Sequence, residues 1–513
     1  MNIGDWVRKW AAIQSHKTAI ISEESTLTYE ELSTRANQLA NLLRKRGTQK
    51  GDRVAVLLYN SKEYVEILLA LSTIGAILVP LNWRLSGSEL EFILKDSEPD
   101  TLFFGEEFKD VVKAIKPNIP IMEGNYICIG KSICSWAINY EKTVKEESPE
   151  ESKIERPIDG EDPQIIMYTS GTTGLPKGAI LSHRKTFYNI LNADIYYGLT
   201  TEDIFLVSRA LFHSGGLLVS VAPTLYKGGT IILKKRFRPQ EILETIEKHR
   251  VTVIEASATM YNFILQQCDL RKNDLSSLRC CVTGGERVPR PLLEEYLNRG
   301  ITISQIYGQT ETSTLAWLPM REAKRKLGSV GVPVFHGNIK IVDKEGREVE
   351  PGEVGEIVVS GPILMAGYWR RPQQTEETIK DGWLHTGDLA KRDEEGFLYV
   401  VDREKDMFIS GGENVYPAEV EKVYLENPKI SDVAIVGVPD GKWGEVGMVF
   451  IVIKEGERMT EDEALKYCEG KLAKYKIPKH VAFLKELPMT ASEKIKRRNL
   501  REDYLKGKMN HSN

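Results

Sequence analysis

None of the six cysteines, Cys128, Cys134, Cys268, Cys280, Cys281 and Cys468, falls at C-x-x-C or metal-ligand spacing. That argues against a zinc module or a redox dithiol and makes a reducing cytoplasm with idle thiols the simplest setting. The first residues, Met1-Asn2-Ile3-Gly4-Asp5-Trp6, lack the basic-then-apolar pattern of a secretory signal. Two long uncharged stretches are interrupted, residues 67–83 by Gly75 and Pro80 and residues 210–226 by Gly215, Gly216 and Pro223, so neither makes a membrane span. Net charge is scant: −4 over 513 residues gives no electrostatic reason to expect nucleic acid as a partner. Internal repeats and strong low-complexity tracts are missing as well. What remains is the composition of a soluble globular chain, too long for one core and expected to divide into at least two domains.

The pattern along the chain is βαβ. Thr28-x-x-Glu31 is a capping box ahead of Leu32, Ala36, Leu39, Ala40 and Leu43 at helical spacing, with a stop at Gly47. Residues 54–58 form an apolar strand, 63–76 a helix, 77–81 a strand, 88–96 a helix and 101–104 a strand, which implies parallel strands covered on both faces. Residues 141–162 are charge-dense and predict an exposed connection. From Gly337 to Ser360 short strands and turns predict a small antiparallel barrel or sheet. Beyond Asp402-Arg403-Glu404-Lys405-Asp406 comes about a hundred residues of compact α/β, including a helix expected over 462–472 and enough for a second domain.

The most informative segment is Tyr168-Thr169-Ser170-Gly171-Thr172-Thr173-Gly174-Leu175-Pro176-Lys177-Gly178, behind the apolar strand 164–168. Its glycines let backbone N–H groups converge on an anion, its hydroxyls add donors, and Lys177 adds a positive charge. It is not a Walker loop, because Gly171-x-x-Gly174-x-x-Lys177 lacks the G-x-x-x-x-G-K-S/T spacing. A nucleotide triphosphate is the expected ligand.

This loop resembles that of the adenylate-forming superfamily, which spans acyl-CoA synthetases, peptide-synthetase adenylation domains and beetle luciferases, and further segments agree in order from about Leu27 to Leu500. The resemblance implies an α/β fold: a large N-terminal domain of layered α/β subdomains with a small β-barrel-like part (1–402), and a small mobile C-terminal α+β lid (403–513). It implies ATP, magnesium and CoA as partners. In Tyr307-Gly308-Gln309-Thr310-Glu311 it implies that Glu311 holds magnesium together with Thr169, Thr310 touches the α-phosphate and Tyr307 packs on adenine. Gly284, Gly285 and Glu286 would lie at the adenine-proximal strand end. Asp388 and Arg403 would grip the ribose, and Lys405 would be the hinge. Lys494, in the loop Pro488 to Ile495, would bridge the carboxylate and the α-phosphate, offsetting repulsion between two anions. Glu493 departs from the family, where glycine is usual.

Leu211-Phe212-His213-Ser214-Gly215-Gly216 matches the segment lining the acyl side, with His213 near the carboxylate end. No acidic residue occurs between Phe205 and Lys227, which argues against an amino acid as substrate. Small residues at Ser214, Gly215, Gly216, Gly284 and Gly285, with Tyr261 and other apolar side chains, are expected to leave volume for an apolar tail. A fatty acid is the favoured substrate and an aryl acid the alternative. Further rivals are a fatty-acyl-AMP ligase loading a carrier protein and a non-catalytic nucleotide-binding protein. Gly411 and Gly412 would line the pantetheine tunnel, with Trp443 and the basic run Lys474 to Lys479 on the CoA side. The cluster Lys494 to Arg498 suits a solvated face, a phosphorylated ligand or an anionic membrane surface. A peripheral membrane contact and a homodimer stay open.

Overall fold

The computed structural model describes residues 2–507 except 132–133, 153–156, 170–175, 287, 404, 411–412, 470 and 491–493. The glycine-rich positions Ser170, Gly171, Thr172, Thr173 and Gly174, the tunnel glycines Gly411 and Gly412, and Glu493 therefore lie outside the described residues.

Four sheets organise the chain. The first runs, from edge to edge, Gly367–Tyr368, Lys177–Ser182, Pro163–Thr169, Ile77–Pro80, Arg53–Leu57, Thr101–Gly105, Tyr126–Ile129 and Ile138–Asn139. Its last six strands are parallel, as expected for apolar runs buried on both faces. Local signals set the joints: Thr28 and Glu31 form the expected capping box, and the helix Lys62–Ile74 stops at Gly75, whose φ of +74° suits glycine. The second sheet has nine strands, with Ile303–Gln309, Cys280–Gly284, Val253–Ala256, Ile204–Val207, Thr230–Leu233 and Thr18–Ile21 parallel at its centre. Ser313–Trp317 returns antiparallel beside Ile303–Gln309.

The third sheet is antiparallel, as the turn-rich sequence from Gly337 predicts. Asn338–Val342, Gly355–Ser360, Trp383–Arg392 and Ile379–Lys380 follow one another, and Leu398–Arg403 pairs with Trp383–Arg392. The fourth belongs to the smaller C-terminal part. Its strands Ile430–Asp440 and Gly444–Ile453 are flanked by Phe408–Ser410, Glu413–Val415 and the parallel His480–Leu484. Arg403 is the last residue of a third-sheet strand, and the next strand opens at Phe408. Buried Asp402 accepts hydrogen bonds from Arg403 N at 2.8 Å and Ala418 N at 2.7 Å, tying the two parts together.

Two sequence expectations need correction. Residues 141–162 are not simply an exposed connection: Tyr140–Lys145 is a helix with Tyr140 and Val144 buried. Its charge has a specific use, since Glu66, fully buried, is met by Arg35 Nε at 2.6 Å and the Tyr140 hydroxyl at 2.6 Å, while Arg35 also reaches Glu141 at 2.9 Å. The expected helix over 462–472 ends early, as Glu461–Tyr467; Gly470 stood inside the expected span and disfavours helix. Among the described residues no helix is long and apolar enough to cross a membrane. Trp6 packs on Phe187 and Tyr226.

Arg35→Met should cost about 3–5 kcal/mol by stranding the Glu66 carboxylate in the core. Urea denaturation should show most of that loss recovered in Arg35→Met combined with Glu66→Met; no recovery would mean that the pair is not an isolated electrostatic unit.

Candidate active site

The site is built where Ile303–Gln309 turns back into Ser313–Trp317. Gly308 is obligatory there, because a Cβ would stand 1.8 Å from Ser313 O. The turn points Tyr307 and Gln309 at Asp388, which is 4% exposed on Trp383–Arg392. Asp388 Oδ2 accepts from the Tyr307 hydroxyl at 2.6 Å and Gln309 Nε2 at 2.8 Å, and Oδ1 faces Arg403 Nε at 3.1 Å. The Tyr307 hydroxyl is committed to Asp388, a bond at the ring's edge that is compatible with the expected packing of its face on adenine. Asp388 and Arg403, expected as separate ribose contacts, face each other across one strand pair.

Glu311 and Thr310 sit in the same turn, closed by Thr312 N donating to Gln309 O at 3.2 Å. Glu311 Oε1 accepts from the Tyr368 hydroxyl at 3.0 Å and lies 3.4 Å from Thr169 Oγ1. Thr169 pairs with Lys177 across the hairpin that frames the phosphate loop, and Lys177 Nζ lies 5.3 Å from the Tyr368 ring centroid. One carboxylate among hydroxyl oxygens suits magnesium, a hard cation that is commonly bound by one or two carboxylates plus substrate phosphates. Among the described residues no group of three His, Cys, Asp or Glu could hold a metal by itself, so a cation here would depend on the nucleotide for further ligands.

The C-terminal part brings Lys494 to this cluster. Thr490 N donates to Lys494 O at 2.7 Å and Lys494 N donates back to Thr490 Oγ1 at 3.0 Å, closing the loop. The Lys494 side chain stays open to solvent in a crowded setting. Desolvation by that crowding lowers its pKa, Arg403 adds to the effect, and Asp388 and Glu311 oppose it. Lys405 is likewise lowered, by burial and then by Arg403. Further out, Trp443 is 39% exposed, with Lys442 and Lys479 each 5.0 Å from its ring centroid. Not all of the basic run is free for a ligand: Lys476 is paired with Glu419 at 2.7 Å.

On the acyl side the expectation of empty apolar volume fails. The guanidinium of Arg209 lies between the expected pocket glycines. A Cβ on Gly215 would stand 3.2 Å from Arg209 Cζ, and one on Gly285 (φ +82°) would stand 2.8 Å from Nη2. Arg209 Nη1 donates to Glu255 Oε1 at 2.5 Å and to Gly284 O at 3.0 Å. Gly216 is needed for another reason, since its Cβ would meet Ala210 O at 2.5 Å. Residues Gly215–Val221 coil as a π-helix directly after Ser214, a rare form that is frequent at functional sites. Tyr261 does not line an open pocket: it is 3% exposed and its hydroxyl donates to Val282 O at 3.3 Å. Glu286, expected at the adenine, instead accepts from Thr259 N at 2.8 Å at the start of the helix Ala258–Gln267.

Behind this wall Asn60 donates to Arg209 O at 2.8 Å and Lys234 O at 3.1 Å. It thereby joins the His213 segment to a polar cavity of about 420 Å³ lined by Lys234, Lys235, Arg236, Arg238 and Tyr59 among others. Sequence reasoning missed Tyr368, Arg209 and Glu255. A signal existed for two of them: an arginine inside the otherwise uncharged run from Phe205 to Tyr226, and a glutamate inside the buried strand Val253–Ala256. Tyr368 carried no such signal.

The chain matches the AMP-binding enzyme model over residues 7–369 and the AMP-binding enzyme C-terminal domain model over residues 419–494. It belongs to the AMP-binding enzyme family. This AMP-binding enzyme is 41% identical over 503 residues to a feruloyl-CoA synthase of Amycolatopsis sp, covering 98% of this chain and 99% of the relative. It is 37% identical to an indoleacetate–CoA ligase of Aromatoleum aromaticum, covering 98% of each. Its structure is similar to that of o-succinylbenzoate CoA synthetase from Bacillus subtilis in complex with the acyl-adenylate intermediate OSB-AMP, with a TM-score of 0.86, 36% identity and 97% of each chain covered. That synthetase has also been solved with ATP and a magnesium ion.

His213 stands beside these groups half-buried, and desolvation, followed by the charges of Arg209, Arg84 and Lys494, pushes its pKa down to about 3. The ring is therefore neutral at working pH. Between about pH 3 and its ordinary value near 6.5 the unfolded chain holds a proton that the folded chain lacks, so this group costs stability as pH falls through that window. A histidine Cε1 resonance assigned by His213→Asn should stay flat from pH 8 to 5; titration near 6.5 would show instead that the ring is charged within the working range.

Proposed function

We propose that this chain is an AMP-forming ligase that joins an aromatic carboxylic acid to CoA at the expense of ATP. The adenylate-forming CoA ligase chemistry is that of the family; the acid, the residue roles and the division into 1–402 and 403–513 are our reading. The observation that carries it is the convergence of Lys494 from the smaller part on Glu311 and Asp388 of the larger.

A carboxylate is a poor electrophile, and its attack on the α-phosphorus brings two anions together. Lys494 offsets that repulsion and stabilises charge in the transition state as the bond to pyrophosphate breaks. Asp388 accepts the ribose hydroxyls with Arg403 at its side, and Thr169, Lys177 and Thr310 orient the phosphates. Glu311 and Thr169 would hold magnesium, which supplies charge neutralisation on those phosphates. In the second step the CoA thiolate attacks the acyl carbon and AMP departs, after the smaller part has turned about Lys405 to bring Trp443 and Gly444 to the thiol. His213, being neutral, shapes the carboxylate end without adding a positive charge.

The aryl reading gains over the fatty acid for two reasons. The gap between Gly215 and Gly285 holds a guanidinium, which a methylene chain would leave unsatisfied. The relatives are named for feruloyl, indoleacetate and o-succinylbenzoate substrates.

Pyrophosphate release with CoA should peak on ring-bearing acids such as ferulate, 4-coumarate or a substituted benzoate and be weak on octanoate and palmitate; a peak on an alkyl acid would restore the fatty-acyl reading. Lys494→Ala should slow adenylation by about a hundredfold or more, while CoA transfer from supplied acyl-AMP should fall far less. Equal losses in both half-reactions would remove the assigned role.

A further inference from the structure

We propose that Arg209 determines specificity by gripping an oxygen acceptor on the body of the acid, away from the carboxylate that reacts. This rests on reading the space around Gly215 and Gly285 as the acid's cavity.

Two arginines with an architectural role in this fold use all three guanidinium nitrogens. Arg279 spends Nε on Asp203 at 2.7 Å, Nη1 on Tyr197 O at 2.8 Å and Nη2 on Asp203 and Gly198 O. Arg35 places Nε, Nη1 and Nη2 on Glu66 and Glu141. Arg209 differs. Its Nη1 serves Glu255 and Gly284 O, while Nε and Nη2 have no hydrogen-bond partner among the described residues. Those two nitrogens form the edge of the guanidinium fork that binds a carboxylate, or one oxygen, through parallel N–H donors. The edge is flanked by residues without side chains: Nε lies 3.3 Å from where a Gly215 Cβ would be, and Nη2 2.8 Å from that of Gly285. The Arg209 side chain keeps 18% exposure while Glu255 beneath it has none, so the anchor is sealed and the free edge is not.

The surroundings define what the edge accepts. Glu255 balances the Arg209 charge, and Glu286 adds a second negative field, although the Glu286 oxygens already accept from Thr259 N and Oγ1. Facing His213 is neutral. The result is a directional pair of donors with little net positive charge, suited to a ring-borne oxygen: a phenol, ether, ketone or second carboxylate. An unsubstituted hydrocarbon body would leave both donors dry and unpaired, which is the costly half of a hydrogen bond.

The test uses the full-length enzyme and matched acids: cinnamate against 4-coumarate and ferulate, and benzoate against its acetyl- and carboxyl-substituted forms. Equilibrium binding by calorimetry and kcat/KM for CoA-thioester formation are both measured. In the wild type at least one oxygen-bearing acid should be favoured about ten- to hundredfold over its parent, with neutral and anionic members of the panel identifying the acceptor. The preference should collapse toward unity in Arg209→Leu combined with Glu255→Leu, which leaves no carboxylate stranded. It should fall in Arg209→Lys, which keeps the charge but loses the planar edge. Equal treatment of every pair by the wild type, or a preference that survives both variants, would overturn the assignment. If no acid turned over, the proposed function would fail, and the binding ratios would still decide the role of Arg209.

Discussion

The carboxylate of Asp388 is the point on which the rest of the site depends. It is buried, and it is held by a tyrosine and a glutamine from the second sheet and by an arginine at the end of the third. Unpaired, such a group would be costly to bury; paired three ways, it fixes the angle between two sheets that have no strand in common. The turn carrying Glu311 is part of the same strand pair that carries Tyr307 and Gln309, so the positions of Glu311 and Asp388 are set together. The last strand of the third sheet ends at Arg403, beside Asp402, which is pinned by the backbone of the helix Pro417–Leu425.

Near Lys494 the cations are in excess of their direct partners. Elsewhere a buried charge is closed into a compact network, as with Glu66, Arg35 and Tyr140. Around Lys494 the cations Arg403 and Lys405 crowd one another, and Asp388 and Glu311 answer them incompletely. Such an excess disfavours the protein alone and favours it with a polyanion between the parts. Desolvation first, and then the charges of Arg209, Arg84 and Lys494, keep His213 neutral.

Much of the architecture was legible because it is local. Periodicity and capping located the helices Tyr29–Lys45 and Lys62–Ile74 to within two residues, and apolar runs located the parallel strands. Motif resemblance located Glu311, Asp388 and Arg403, and the structure brings them into one cluster with Lys494. What escaped were pairs made across long stretches of chain. Tyr368 reaches Glu311 over 57 positions and Arg209 reaches Glu255 over 46, and no periodicity encodes such meetings. The glycines at 215 and 285 suggest room for a tail because a sequence shows a missing side chain but not the neighbour, here Arg209, that fills the gap.

That filled gap separates two tasks. Under the proposed function the groups that activate a carboxylate lie on the strand ends and on the C-terminal part, whereas Arg209 and Glu255 are held by each other and by Gly284 O. Exchanging that pair for another of similar volume would leave the activating groups where they are. One scaffold is thereby free to change what it activates without relearning how, and descent within the family has only to repaint a single buried corner.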